Sequence, residues 1–166
     1  MKKTIYFITS NKGKALEANN IFSTLNIDVV QKNLGYPEIQ ADSLEDVALF
    51  GAEDVQKRFN HTFFLEDAGL FIEVLKGFPG VYSAYIYHTI GYTGILRLLE
   101  GIDESERKAY FKSVIAYCEP SKKPIFFIGE CKGIISKEAI GSNGFGFDPI
   151  FIPQGEKKTF AQMETG

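Results

Sequence analysis

No stretch of the 166 residues is long and apolar enough to span a bilayer, and no run of lysine and arginine forms a basic stripe. The formal net charge is -3, so the chain lacks the basic excess with which nucleic-acid binders meet phosphate backbones. Neither a membrane nor a nucleic acid is therefore expected as a partner, whereas a small anion needs only a local positive site. Cysteine and histidine are sparse, two of each. Cys118 and Cys131 fall on the expected arms of one hairpin turning near Pro120 to Lys123, and that register separates them by about 20 Å, too far for a disulfide. Their spacing is that of neither a metal site nor a redox pair, and two unpaired, apolar-flanked cysteines fit a reducing cytoplasm. His61 and His88 have no serine or cysteine partner at a telling spacing and are assigned to surface or structure. Repeats, low-complexity tracts and linkers are missing too. The opening MKKTIYFITS has an apolar run too short for a signal-peptide core.

What is present suffices for one sizeable core, with 45% apolar and 14% aromatic residues, and predicts a single domain over residues 1–166. Thr4 to Thr9 alternates as a strand. Ala18, Ile21, Phe22 and Leu25 then recur at helical spacing and predict one buried helix face. Ile27 to Leu34 reads as a second strand. A helix from Ser43 to Phe59 follows, capped by Asp42 with Glu45 three residues on, burying Leu44, Val47, Ala48, Gly51, Val55 and Phe59. Thr62 to Leu65 is a short apolar strand. Pro79 can open a helix through Val81 and Tyr85, and Thr93 to Glu100 another, burying Ile95, Leu98 and Leu99 and stopping at Gly101. Long strands at Ala109 to Tyr117 and Ile125 to Ile135 complete an α/β chain with a mixed sheet and an extended hairpin.

Three stretches carry chemistry. Glu66 and Asp67 are expected where a buried strand reaches its exposed end, the place where open α/β sheets meet ligands, so they are placed to hold a metal or move a proton. Alternation along the strand points one of them to the site and leaves the other structural; a solvated acid doublet is the plain alternative. Thr9-Ser10-Asn11-Lys12-Gly13-Lys14 joins a strand to a helix, leaving backbone N–H groups and the dipole's positive end facing the loop, with Lys12 and Lys14 adding charge. An ordinary Asn cap with solvated lysines explains that loop equally well. It is not a Walker A loop, because Ile8 stands at the first glycine and Ala15 at the magnesium-binding hydroxyl. In Gly141 to Pro149, three glycines flank Phe145 and Phe147, which lets backbone approach a ligand, an aromatic face cover a planar base, and Asp148 accept from its N–H groups. A bulged turn would read the same.

Taken together, six stretches resemble the inosine triphosphate pyrophosphatase family in its own order. They are Thr9 to Lys14; Tyr36-Pro37-Glu38-Ile39-Gln40; Glu66-Asp67-Ala68-Gly69-Leu70; Gly77-Phe78-Pro79-Gly80-Val81-Tyr82-Ser83; Gly144 to Phe151; and Lys158-Thr159-Phe160-Ala161-Gln162-Met163. The resemblance implies an elongated central mixed β-sheet flanked by helices, in two lobes with a cleft between them. It also implies a homodimer, a magnesium requirement, and cleavage of ITP, dITP or XTP to the monophosphate and pyrophosphate. Carried over by motif, Thr9, Ser10, Asn11, Lys12, Gly13 and Lys14 hold the triphosphate, with Lys14 the main cation. Glu38 and Asp67 bind magnesium and Asp67 activates water. Ala68 lines the nucleotide site, and Phe145, Gly146, Phe147 and Asp148 bind the base and nearby sugar.

Two substitutions depart mildly from the family pattern: Ser10 stands for a glycine and Ala68 for a serine or threonine. The sequence ends at Gly166, short of the lysine and Ser-His-Arg motif that the family carries on a C-terminal helix. The resemblance therefore implies a truncated form with weakened discrimination of ITP from ATP. A related Maf-type pyrophosphatase of modified nucleotides, or a nucleotide-binding module with impaired turnover, is the competing expectation.

Overall fold

The computed structural model describes residues 3–37 and 39–164. Strands β1 (Lys3–Ile8), β2 (Ile27–Lys32), β3 (Phe63–Ile72), β4 (Lys108–Cys118), β5 (Ile125–Ile135) and β6 (Phe151–Pro153) form one mixed sheet in the order β2-β1-β3-β4-β5-β6. β1 is parallel to β2 and β3, while β5 and β6 are antiparallel. The connections carry helices α1 (Lys12–Ser23), α2 (Leu44–Gln56), α3 (Ser83–Thr89) and α4 (Gly91–Leu98). Contacts divide the chain into two compact units, residues 1–67 with 113–128, and residues 68–112 with 129–166.

In the first unit, β1, α1 and β2 build a crossover whose core is Phe7, Ala15, Val29 and Phe64. Phe7 and Phe64 stack at 4.3 Å, and Phe22 reaches Phe64 at 5.7 Å. The buried face of α1 is thus Ala15, Ala18 and Phe22, keeping Ala18 and Phe22 of the expected set and replacing Ile21 and Leu25 by Ala15. Ile21 and Leu25 are exposed by 63% and 64%. The small side chain of Ala15 centres the helix on the sheet and turns Ile21 to the flank, and the helix ends at Ser23 before Leu25 can continue the stripe. α2 buries Leu44, Val47, Ala48, Gly51, Ala52 and Val55. Its cap is Ser43, one residue after the expected Asp42: the Ser43 hydroxyl accepts from the Asp46 N–H at 3.1 Å and donates to the Asp46 carboxylate at 2.7 Å. Gln56 closes this unit by donating to the Glu119 and Lys122 carbonyls in the β4–β5 turn.

The second unit is organised around Leu70, Ile72, Ile95, Leu99, Ile135, Ile150 and Phe151, all fully buried. α4 presents Ile95 and then Leu99 to this core, whereas Leu98, expected inside, is half exposed. Arg107 is buried among these apolar groups. Its guanidinium donates to the carbonyls of Ile135, Leu99 and Ser136 at 3.0, 3.2 and 2.9 Å, and burial lowers its pKa. One fork thus serves three carbonyls, of which that of Leu99 also accepts from the Ile102 N–H. Both cysteines are unpaired thiols.

Candidate active site

β3 is longer than the four residues expected. It runs from Phe63 to Ile72, so Glu66 and Asp67 lie within a strand and not at its end. Their accessibility comes from β1: the two strands pair only at Tyr6 with Phe63 and Phe7 with Phe64, and β1 stops at Ile8. Beyond Phe64, β3 runs past its neighbour, into the space where Thr9 to Lys14 leaves β1. β3 continues as a strand because β4 borders it on the other side.

That loop is held by its own side chains. The Thr9 hydroxyl accepts from the Asn11 N–H at 3.0 Å, and the Asn11 side chain accepts from the Lys14 N–H at 3.1 Å as the N-cap of α1. Thr9 is also pinned to β2, its N–H bonding to the Lys32 carbonyl and its carbonyl accepting from Gln31. The cap uses the third N–H of α1 and leaves those of Lys12 and Gly13 at a helix start, where nothing within the helix can accept them. Ser10 and Lys12 are exposed on this loop.

Lys14 turns inward. Its ammonium lies 2.5 Å from Glu66 Oε2 and 3.5 Å from the Glu66 carbonyl, with the two side chains 23% and 13% exposed. Ser113 of β4 donates to Glu66 Oε1 at 2.7 Å. Glu66 Oε2 is buried and, apart from its ion contact with Lys14, has no hydrogen-bond partner among the described residues. Strand alternation explains the pairing: Glu66 shares the face of Phe64, and Phe64 packs beneath the helix that Lys14 begins.

Asp67 faces the other way, where the Tyr36 hydroxyl donates to its Oδ2 at 3.4 Å. Tyr36 is seated by Gly51 of α2, and the backbone before it is clamped by Arg58, which donates to the carbonyls of Leu34 and Gly35 and is itself held by Asp54. Glu38, two residues further on, lies outside the described residues. Ala68 follows in β3, half-buried. The structure thus joins Lys14 of the loop to Glu66 and sets Asp67 on the opposite face of β3 beside Tyr36, all within the first unit.

Phe145, Gly146, Phe147 and Asp148 belong to the second unit. Phe147 is buried in its core and packs edge-on to Tyr87 at 5.5 Å, while Phe145 is 43% exposed. Asp148 accepts from the Phe145 N–H at 2.9 Å. Burial pushes its carboxyl up, against the opposing effect of that bond. Gly144 has a φ of 72°, which favours glycine, and a side chain there would displace this carboxylate. Asn143 fastens the loop to the chain's last described segment through its amide and the Met163 carbonyl, at 2.9 Å.

Three partners of the site were not singled out from the sequence: Ser113, Tyr36, and Glu66 as the ion partner of Lys14. Glu66 had a usable signal, since its alternation with Phe64 puts it on the face of α1. Ser113 had none, and Tyr36, although it opens one of the six matched stretches, had none for its contact with Asp67, because only the pairing of β4 and the path of residues 33–37 bring them here.

With this geometry in place, a family comparison is decisive: residues 5–166 match the model of the Ham1 family. The chain belongs to the Ham1 family. Among curated Ham1 relatives, the dITP/XTP pyrophosphatase of Thermococcus kodakarensis is 57% identical over 159 residues, 96% of this chain and 84% of that protein. That of Methanopyrus kandleri is 51% identical over the same shares. Among solved structures, the Ham1 protein of Staphylococcus aureus superposes with a TM-score of 0.80 at 29% identity, covering 98% of this chain and 87% of that one. The nucleoside-triphosphatase / dITP/XTP pyrophosphatase of Mycobacterium abscessus does so with 0.77 at 29%, covering 96% and 88%. The mixed sheet and flanking helices described above are those of Ham1 proteins.

Proposed function

We propose that this chain hydrolyses non-standard purine nucleoside triphosphates, dITP, XTP and ITP, to the monophosphate and pyrophosphate. The observation that carries the reading is the contact of Lys14, from the start of α1, with Glu66 of β3, next in sequence to Asp67. The N–H groups of Lys12 and Gly13 and the Lys14 ammonium receive the triphosphate, the helix start adding its positive end. Asp67 takes a proton from water as the water oxygen attacks the α-phosphorus. The bond from the α-phosphorus to the bridging oxygen breaks, and pyrophosphate leaves with its electron pair. No protein nucleophile is needed.

Asp67 offers carboxylate oxygens from a half-buried stretch of β3, and such oxygens suit a hard divalent cation. Glu38 and Asp67 would hold magnesium, which supplies neutralisation of charge on the phosphate oxygens. Phe145 to Asp148 are assigned to the base and sugar, with Phe145 offering the exposed ring and Asp148 a carboxyl acceptor. The remaining parts of the reading are a homodimer and action in the cytoplasm. Two unpaired thiols support that compartment, and among the described residues no helix is long and apolar enough to cross a membrane.

The test is pyrophosphate release with magnesium from dITP, XTP, ITP, GTP and ATP offered separately, with Asp67→Asn as control. Release from the first three, reduced by about 10²–10⁴ in the control, is the expected result for a lost general base. No release from any substrate overturns the reading. An undiminished control removes Asp67 from its role.

A further inference from the structure

We propose that Glu66 is a positioning residue that latches Lys14 between turnovers, and that Ser113 keeps the latch in place. The proposal rests on the reading of Lys14 as the triphosphate's cation and says how that cation is stored. The ammonium that must reach a phosphate is held by the Glu66 carboxylate at 2.5 Å and leans on the Glu66 carbonyl at 3.5 Å. The carboxylate in turn cannot swing away, because Ser113 donates to its other oxygen at 2.7 Å.

This chain of contacts has two consequences. A long lysine side chain has several rotatable bonds, and one held at both ends is delivered to its task already ordered. The same contact competes with the substrate, since Lys14 cannot give its full charge to a phosphate while it pairs with Glu66. A triphosphate carries several negative charges against one on the carboxylate, so it wins the exchange. Glu66 Oε2, buried and without another hydrogen bond, is then left unpaired, and this drives Lys14 back as pyrophosphate departs. Glu66 therefore weakens ground-state binding and improves turnover, the opposite of a simple binding residue.

The isostere separates these roles without disturbing the fold. In Glu66→Gln the amide oxygen can face Lys14 and the NH₂ can donate to Ser113, whose hydroxyl accepts as well as donates. The probe is inorganic tripolyphosphate, titrated calorimetrically into the full chain with magnesium, alongside kcat and KM for dITP. Glu66→Gln is expected to bind tripolyphosphate roughly three- to fivefold more tightly, the scale of a partly exposed ion pair, with a lower KM and a lower kcat. In a Lys14→Gln background the tightening vanishes. Ser113→Ala shifts both readouts the same way to a smaller extent, and Ser113→Thr restores them.

Unchanged or weaker tripolyphosphate binding in both Glu66→Gln and Ser113→Ala, with Lys14→Gln binding poorly, overturns the latch alone. Failure of Lys14→Gln to weaken binding overturns the latch together with the assignment of Lys14 to phosphate.

Discussion

The ring of Tyr36 lies over Gly51 of α2, so close that a Cβ added to Gly51 would stand 2.8 Å from two of its carbons. The same tyrosine donates to Asp67, so a glycine in a helix interior sets the surroundings of the proposed base. Gly51→Ala should stabilise the isolated helix by up to about 1 kcal/mol yet displace Tyr36. The expected outcome is lower kcat with little loss in thermal midpoint, measured by pyrophosphate release beside a melting curve. Tyr36→Phe, which keeps the ring and removes only a long hydrogen bond, should cost less than about tenfold.

Arg107 should prove indispensable to the second unit. Arg107→Ala removes a guanidinium donor from the carbonyls of Leu99, Ile135 and Ser136, although Leu99 keeps the Ile102 N–H, and is expected to lower stability by about 2–4 kcal/mol in denaturant titrations. Arg107→Lys should rescue only part of this, because an ammonium cannot span the fork.

Cys118 should be chemically silent in the native protein. Its thiol is buried and its pKa pushed up to about 12 by desolvation, which leaves on the order of one in 10⁵ ionised at neutral pH. Cys131 is half-buried and also raised. Alkylation followed by mass spectrometry should label Cys131 first, and label Cys118 at the rate of unfolding.

For Asp148 the sign of the pH effect is fixed by its raised carboxyl pKa. Between the ordinary carboxylate range and the raised value the folded chain binds more protons than the unfolded one. The contribution of Asp148 to stability therefore falls as pH rises through the folded pKa, and is a net penalty at pH 7. Asp148→Asn can still accept from the Phe145 N–H without that penalty. It should be the more stable protein at pH 7, and the difference should shrink as the pH is lowered toward 4 in paired urea titrations.

Much of the fold was legible because it rests on local periodicity. Ile125–Ile135 matches its expectation to the residue, and α2 buries five of the six positions its spacing describes, Phe59 lying beyond the helix end at Gln56. The misses have tertiary causes. Ile21, Leu25 and Leu98 carry apolar side chains that the helices leave outside, a choice made by Ala15 and by helix ends. The length of β3 depends on a neighbour, β4, that begins at Lys108, two short helices and several turns after β3 ends at Ile72. At the candidate site, residue types and order singled out Lys14 and Asp67 as candidates, but the Lys14 to Glu66 contact and its buttress from Ser113 arise from the strand register.

The first compact unit is made from residues 1–67 and 113–128, with residues 68–112 assigned to the other. A ribosome delivers the Lys14 loop and Asp67 early, yet Ser113 and the turn that Gln56 grips come only after another 45 residues have emerged. Nascent chains cannot finish the unit that holds the proposed chemistry before half of its companion has been made. Its cotranslational folding is therefore interleaved, and arrest of synthesis anywhere between Asp67 and Ser113 leaves Glu66 without the hydroxyl that holds it.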